Sequence, residues 1–359
     1  MKIAQVAPLY ESVPPKFYGG TERVVSYLTE ELVRQGHEVT LFASADSTTK
    51  AELRPACERA LRLEGKKIID PLACHIRMIE MVSRESHRFD ILHFHIDYLH
   101  FPATRRLQIP ALTTLHGRLD IPELHSLYQE FTDMKLVSIS NAQRAPLAWA
   151  NWIATVHHGL PNLYRPQYTS GKYLAFLGRI CPEKGVDRAI EIASRVGIPL
   201  KIAAKIDPVD QEYFDSKIKW LLEHPLIEYI GEIGEREKSD FLSHALALLF
   251  PIDWPEPFGL SMIEAMACGT PVIAFCRGSV PEILAEGITG YFVNNIREAI
   301  EAVHKVAALD RRACRNAFEK RFTVQRMCSD YLDIYRRISE DRSAGAQFSQ
   351  QASGSLFAA

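Results

Sequence analysis

The segment Pro255–Phe275, PEPFGLSMIEAMACGTPVIAF, carries two glutamates, Glu256 and Glu264, on either side of a helix start that begins with Gly259. A short strand follows the helix. This order sets free backbone N–H groups and the positive end of a helix dipole between two carboxylates. The segment therefore predicts a binding site for a ligand that carries both phosphate and hydroxyl groups, and a nucleotide-diphosphate sugar is such a ligand.

The two glutamates occupy different positions relative to the predicted helix. Glu256 precedes the helix and cannot belong to its apolar face, whereas Glu264 lies one turn beyond Leu260 on the same helical side. A carboxylate can accept two hydrogen bonds from a vicinal diol, so one glutamate can hold hexose hydroxyls and the other ribose hydroxyls. For Glu264, simple exposure to solvent is the alternative.

Outside this segment, short β-rich runs alternate with helical stretches, and the alternation restarts at KYLAFLG after the proline-rich stretch 159–172. Alternating strands and helices favour a parallel sheet that is covered on both faces. The sequence therefore predicts an α/β fold with two Rossmann-like, doubly wound domains that face each other across a cleft. We expect these domains over residues 1–163 and 171–322, with 159–172 as the hinge.

The end of the chain is expected to return to the first domain. The pattern from Val324 to Ser339 follows the second sheet and has aromatic and aliphatic residues at helical spacing. We expect a helix over 324–341 that packs back on the first domain. The tail 343–359 is small, polar and uncharged, so we expect it to be mobile.

Composition narrows the classes of function. The 359 residues carry a formal net charge of -2, so the overall field does not favour nucleic-acid binding and any anion site must be local. The seven cysteines include no CxxC pair, which indicates neither a zinc site nor a disulfide framework and favours a reducing cytoplasm. No apolar run is long enough to cross a bilayer, so membrane contact is expected to be peripheral at most.

Two further motifs are expected at the carboxyl ends of strands, where open parallel sheets bind ligands. In KFYGGTERVV, Gly19 and Gly20 end a loop and Thr21 can cap the next helix, which would let a phosphate approach the backbone; an ordinary turn is the alternative. In LGRICPEKG, Arg179 and Lys184 lie on one loop and could stabilise the charge of a diphosphate leaving group without a metal. For that pair, a solvated surface position is the alternative.

Together the motifs GGTE, GRICPEKG and EPFGLSMIEAMACGTPVIA, followed by GSVPEIL and GITGYFV, resemble the family 4 glycosyltransferases of GT-B fold. The resemblance spans Met1 to about Ser339. It implies a retaining enzyme, with the acceptor on the first domain and the nucleotide sugar on the second. Such an enzyme moves a hexose from a nucleotide-diphosphate sugar to an acceptor hydroxyl, here unidentified, with no metal or other cofactor. A UDP-sugar is the favoured donor and a GDP-sugar the alternative. An epimerase of the same fold and a non-catalytic nucleotide-sugar-binding subunit are the alternatives.

The resemblance also implies roles for single residues. In the catalytic set, Arg179 and Lys184 match the pair that binds the diphosphate. Glu256 matches the carboxylate that holds the donor sugar's hydroxyls. His116 matches a histidine near the reacting carbon, and a buried core histidine is the alternative. Glu264 matches the carboxylate that holds the ribose.

Further donor contacts follow from the same resemblance. Gly19 and Gly20 match a loop that closes over the diphosphate. The remaining expected contacts, to sugar, phosphate and base, are Phe258, Gly259, Leu260, Ile230 and Gly231.

Two features stay open on the sequence. Lys205 follows the second strand of the second domain, and a phosphate contact and a solvated lysine are equally favoured. His93 and His95 lie on one face of a strand and could form a metal pair. No third ligand is in view, so packing and acceptor-cleft roles are favoured.

Overall fold

The computed structural model describes residues 1–16, 19–63 and 70–355, with side chains up to residue 340. Its first sheet contains β1 (Lys2–Val6), β2 (Glu38–Ser44), β3 (Glu52–Cys57), β4 (Ile91–Phe94), β5 (Ala111–Thr114), β6 (Leu136–Ser138) and β7 (Trp152–Thr155). Its second sheet contains β8 (Tyr173–Arg179), β9 (Leu200–Lys205), β10 (Ile227–Gly231), β11 (Ala245–Phe250), β12 (Val272–Phe275) and β13 (Gly290–Val293).

Both sheets are parallel and doubly wound. The strand orders are β3-β2-β1-β4-β5-β6-β7 and β10-β9-β8-β11-β12-β13. The order reverses between β1 and β4 in the first sheet and between β8 and β11 in the second, and ligands bind at such switch points. This architecture confirms the predicted fold class.

Helices cover both sheets, because parallel strands that are buried on both faces need a layer on each side. The first domain contains α1 (Gly20–Arg34), α2 (Pro71–Glu85), α3 (Phe101–Thr104) and α4 (Pro122–Glu130). The second contains α5 (Val186–Val196), α6 (Gln211–Tyr213), α7 (Glu235–Ser243), α8 (Leu260–Ala267), α9 (Val280–Ile283), α10 (Ile296–Val306) and α11 (Arg311–Arg321), and α12 (Val324–Ser355) ends the described chain. Within the described residues, no helix is long and apolar enough to cross a membrane.

Helix α1 begins two residues earlier than expected, because its cap lies at Gly19 and not at Thr21. Gly19 is the cap position and Gly20 is the first helical residue, so Thr21 lies inside the helix. A Cβ atom on Gly19 would lie 2.7 Å from the Cβ atom of Pro15, which favours glycine at this turn. The apolar side of α1 packs on the first sheet, where Val24 and Leu28 join the core around Ile3.

Helix α12 lies against the first domain. Val324, Met327, Tyr331 and Tyr335 share a buried cluster with Ile3 of β1. The helix continues to Ser355, well past the expected end near residue 341. The segment beyond that point is rich in alanine, glutamine and serine and contains no proline, so nothing in it forces the helix to stop. Residues 356–359 of the predicted tail lie outside the described residues.

The expected hinge contacts the start of α12. The N–H of Leu160 donates to the carbonyl of Phe322 at 2.8 Å, and the N–H of Val324 donates to the carbonyl of Leu160 at 2.9 Å. A Cβ atom on Gly159 would lie 2.3 Å from the carbonyl oxygen of Thr323, so only glycine permits this approach. The two chain crossings between the domains therefore lie side by side.

Candidate active site

A cavity of about 650 Å³ lies between the two sheets, at the carboxyl ends of their strands. Residues that follow β1, β4 and β5 line it from the first domain, and residues that end or follow β8, β9 and β11 line it from the second. Most of the predicted site residues are in its wall. They are Gly19, Gly20, His116, Arg179, Lys184, Lys205, Glu256, Phe258, Gly259, Leu260 and Glu264.

The expected base contact is displaced by two residues. Ile230 and Gly231 are not in the cavity wall, whereas Glu232 and Ile233 are. Gly231 ends β10 with a φ of 77°, in the left-handed region. This bend turns the residues after the strand toward the cavity and leaves Ile230 partly exposed on the strand.

Lys184 and Glu256, which come from two different loops, form an ion pair in the cavity wall. The carboxylate also accepts a hydrogen bond from Trp254 Nε1 at 2.9 Å, and the Lys184 ammonium lies 5.1 Å from the centre of the Trp254 ring. Gly185 makes the turn after Lys184 with a φ of 66°, and a Cβ atom there would lie 2.2 Å from the carbonyl oxygen of Pro251. Packing of this turn against Pro251 therefore positions the lysine.

Two other cations of the second domain have acidic neighbours. Arg179 Nε lies 3.3 Å from Asp210 Oδ2, and Lys205 Nζ lies 3.6 Å from Asp207 Oδ2. Lys205 is in the cavity wall, so it is not a surface lysine remote from the site. Both cations lie at the carboxyl ends of adjacent strands, β8 and β9, where their backbones pair in register.

The N-termini of α1 and α8 meet across the cavity. A Cβ atom on Gly20 would lie 3.5 Å from Cδ1 of Leu260, the first residue of α8. Gly259 precedes α8 with a φ of 82°, and a Cβ atom there would lie 2.7 Å from Cε of Met262. Both helices therefore direct the backbone N–H groups of their first turns and their positive dipole ends into one space, which suits an anion.

Glu264 is buried and pairs with cations of both domains. Its Oε1 atom accepts hydrogen bonds from Lys238 Nζ at 3.0 Å and from Tyr164 at 3.1 Å, and Arg23 Nη1 lies 3.4 Å away. Burial alone would raise the pKa of Glu264, but the positive charges of Lys238 and Arg23 outweigh it and the pKa is lowered. The carboxylate therefore stays ionised, and simple solvent exposure is not its state.

His116 follows β5 and contacts other rings of the cavity wall. Its Nε2 atom lies 2.9 Å from Nδ1 of His95, and its ring stacks on His158 with a centroid distance of 5.3 Å. His158 in turn meets Phe258 edge to face at 4.7 Å. His116, His158 and Phe258 therefore pack in a row, and Phe258 belongs to the turn that leads into α8. Burial lowers the pKa of His116 to about 3, so the ring is neutral.

His93 and His95 engage protein groups through all four ring nitrogens. His93 bonds to Tyr335 and Thr114, and His95 bonds to Gln5 and His116. The structure gives them packing and hydrogen-bonding roles. In the described part of the chain, no group of three or more histidine, cysteine, aspartate or glutamate side chains could hold a metal ion.

Asp97 is a cavity residue that the sequence reading did not single out. It follows β4 with a φ of 51°, which is rare for a residue other than glycine. Asp97 lines the cavity and stays exposed there, and desolvation raises the pKa of its carboxyl to about 6. Its place directly after a parallel strand was the available signal. The sequence also did not indicate Arg23 and Lys238. Both lie far from Glu264 along the chain and approach it only in the folded structure.

The cavity can therefore hold an anion between helix ends and cations, with carboxylates on either side and neutral rings opposite. Comparison with known proteins agrees with this chemistry. A model described as Glycosyltransferase Family 4 matches residues 18–181, and one described as Glycosyl transferases group 1 matches residues 165–321. The fold, the cavity and these matches define the protein as a GT-B glycosyltransferase.

Relatives of the whole chain point the same way. The D-inositol 3-phosphate glycosyltransferase of Mycolicibacterium smegmatis is 24% identical, and the match covers 94% of this chain and 91% of the relative. Among solved structures, AviGT4, a glycosyltransferase involved in avilamycin A biosynthesis, is 25% identical with a TM-score of 0.72, covering 94% of this chain and 98% of that one. The chain belongs to glycosyltransferase family 4.

A more distant structure supports the fold alone. The Anabaena protein HepE, solved in complex with UDP and glucose, has a TM-score of 0.75 and 16% identity, with 94% of this chain and 100% of that chain covered.

Proposed function

We propose that this glycosyltransferase moves a hexose from a nucleotide-diphosphate sugar to an acceptor hydroxyl, with retention of the anomeric configuration and without a metal. The observation that carries the proposal is the meeting of two helix N-termini with Arg179 and Lys184 in one cavity, between Glu256 and Glu264. A diphosphate with a sugar at each end matches this order of groups. A UDP-sugar is the favoured donor and a GDP-sugar is the alternative.

The diphosphate would change one ion pair. Lys184 pairs with Glu256 in the cavity wall. A diphosphate between the helix ends would compete for the lysine, and the carboxylate would then accept hydrogen bonds from hexose hydroxyls. This exchange couples binding of the phosphates to binding of the sugar. When the diphosphate takes Lys184, the Glu256 carboxylate is released to bind the hexose hydroxyls.

Glu264 is the ribose carboxylate of this proposal. The hydrogen bonds described for it end on Oε1, so Oε2 is the atom offered to ribose hydroxyls. Its lowered pKa keeps it an acceptor. Arg23 approaches it from α1, so the first domain helps to orient a contact made by the second.

Bond cleavage leaves negative charge on the diphosphate, and fixed cations and helix dipoles stabilise that charge in a cavity with little water. Glu256 and Glu264 are assigned to hydroxyls, so no covalent nucleophile is invoked. The acceptor would attack from the side of the leaving group, and its proton would pass to a departing phosphate oxygen. Catalysis is then mainly orientation and charge stabilisation.

A thermal-shift panel of nucleotide sugars, followed by mass spectrometry of the products formed with candidate acceptors, tests the proposal. We expect stabilisation by nucleoside diphosphates and their sugars, and a glycosylated acceptor with the anomeric configuration of the donor. Donor incubated without acceptor should keep its sugar unchanged; an isomerised sugar would indicate an epimerase instead.

The role of the cations makes a separate prediction. We expect EDTA to leave the rate of transfer unchanged, because side-chain cations and helix ends supply the positive charge at the diphosphate. A rate that vanishes in EDTA and returns only with Mg²⁺ or Mn²⁺ would contradict metal independence without contradicting transfer itself.

A further inference from the structure

A buried line of hydrogen bonds connects helix α12 to His116 in the cavity wall. Gln5 Nε2 donates to the hydroxyl of Tyr335 at 3.1 Å. Gln5 Oε1 lies 2.9 Å from Nε2 of His95, and Nδ1 of His95 lies 2.9 Å from Nε2 of His116. Gln5 and Tyr335 are fully buried, and His95 is 3% exposed. The line therefore passes through the core of the first domain.

The amide of Gln5 gives this line a direction. Its Oε1 atom can only accept, so Nε2 of His95 must carry a proton. Burial lowers the pKa of His95 well below its usual range, and the ring is neutral with a single proton. Its Nδ1 atom is then an acceptor, and Nε2 of His116 must donate to it. His116 is also neutral, so its Nδ1 atom carries no proton.

The Nδ1 atom of His116 is left without a protein partner in this line. It has almost no accessible surface and no hydrogen-bond partner among the described residues, and the residue itself lines the cavity. An unprotonated ring nitrogen accepts a hydrogen bond from a hydroxyl, whereas a protonated ring nitrogen is a donor and cannot accept one. The tautomer of His116 therefore decides whether its Nδ1 atom can accept a hydrogen bond from a sugar hydroxyl.

The far end of the line is consistent with the direction set by Gln5. The Tyr335 hydroxyl accepts from Gln5 and lies 2.7 Å from Nδ1 of His93, so its own proton is available to that nitrogen. Nε2 of His93 lies 2.8 Å from Thr114 Oγ1, which lies 2.9 Å from the Tyr331 hydroxyl. Tyr331 belongs to the same helix as Tyr335 but bonds only beyond His93, so its loss should not reorient Gln5.

We propose that Gln5 and Tyr335 are positioning residues which, acting through His95, hold His116 in the tautomer with a bare Nδ1 atom, ready to accept a hydrogen bond from a hydroxyl of the bound sugar. The hydroxyl contact rests on the proposed function, whereas the tautomer does not. In this arrangement α12 contributes to the site although none of its described residues lines the cavity.

Nitrogen NMR on the full chain, with ¹⁵N-labelled histidine and no ligand, reads the tautomer directly, and a His116→Gln variant assigns the signals. We expect a protonated Nε2 and an unprotonated Nδ1 on His116 in the wild type. Tyr335→Phe removes the group that orients the Gln5 amide, and we expect a mixture of tautomers. Gln5→Glu keeps an acceptor toward His95 and should retain the wild-type tautomer. A proton on Nδ1 of His116 in the wild type overturns the proposal.

Kinetics with the donor identified by the panel supply the second readout. We expect Tyr335→Phe to lower kcat roughly tenfold, the effect of one misdirected hydrogen bond, with a much smaller change in the donor KM. Tyr331→Phe is the matched control, since it removes a buried hydroxyl from the same helix, and it should keep both kcat and the His116 tautomer. Equal losses in the two variants, with unchanged tautomers, would show a structural role only and would overturn the proposal.

Discussion

At the scale of single residues, the site depends on groups whose charge or conformation is fixed by their surroundings. Lys184 is positioned by the turn at Gly185 and by its pairing with Glu256. Glu264 is kept ionised by cations from both domains. Asp97 shows the opposite effect, because its desolvation favours the neutral acid. Carboxyl groups in one cavity therefore have pKa values shifted in opposite directions, for identifiable reasons.

Loss of Lys184 should impair turnover strongly. We predict that Lys184→Ala lowers kcat by about a hundredfold or more, the usual effect of removing one fixed donor to developing charge. Steady-state kinetics with the matched donor measures this. Lys201→Ala is a suitable control, because Lys201 pairs with Glu228 outside the cavity wall and should keep its rate. Near-normal transfer by Lys184→Ala would refute the assigned role.

Asp97 makes a prediction about pH. Its folded pKa, about 6, lies above the usual value of 3.8, so the folded state binds more protons between these two values and stability falls as pH rises through that window. We predict that Asp97→Asn raises the melting temperature at pH 7.5, with a difference from wild type that shrinks toward pH 4. Asp333→Asn, at an exposed position on α12, should show no such trend. A difference that is constant with pH would argue against a raised pKa.

At the scale of elements, helix starts are the critical features. We predict that Gly259→Ala destabilises the protein by about 2–4 kcal/mol, because the φ of 82° is strained for alanine and the added Cβ crowds Met262. The N-terminus of α8 should also shift, so we expect weaker nucleotide binding. Chemical denaturation and calorimetric titration measure the two effects.

Gly197→Ala is the matched control for this change. Gly197 has a φ of 72° after α5, with nothing within 4 Å of an added Cβ atom. The Gly197→Ala variant should be less stable by only about 1 kcal/mol, the cost of the left-handed conformation for alanine, and should keep its nucleotide affinity. Equal losses in both variants would mean that crowding at α8 has no part in the site.

Much of the fold could be predicted at this scale, because strands and helices alternate in the sequence and Gly259 and Glu264 lie within one short motif. Local pattern could not give the end of α12, since no proline lies near 341 and the helix continues through Gly345. It also missed the φ of 77° at Gly231, which moves the cavity contact from Ile230 to Glu232 and Ile233. A glycine's conformation depends on the packing around it, which a single sequence does not display.

At the scale of the whole molecule, contacts between the domains complete the site. Glu282 on α9 accepts hydrogen bonds from the backbone N–H groups of Asn141 at 2.7 Å and Ala142 at 2.6 Å, both in the first domain. Arg23 on α1 reaches Glu264 and, at 3.0 Å, Glu235. No sequence pattern predicted these pairs, because their members are far apart along the chain and meet only when the domains face each other.

Loss of Glu282 should loosen this arrangement. We predict that Glu282→Ala leaves two backbone donors without their partner, increases the radius of gyration in small-angle X-ray scattering, and raises the donor KM several-fold. Glu301→Ala, at an exposed position on α10, is the control and should change neither quantity. An unchanged scattering profile with an unchanged KM would mean that other contacts hold the domains together.

The central claim is that fixed cations between the two domains bind a diphosphate. Isothermal titration tests it most directly, in EDTA, with the nucleoside diphosphate that the panel selects and with its parent nucleoside. We predict that an Arg179→Ala, Lys184→Ala double variant loses at least about a hundredfold in affinity for the diphosphate, equivalent to two or more charge-assisted contacts, and little for the nucleoside. Equal affinities of wild type and double variant for the diphosphate would contradict the account.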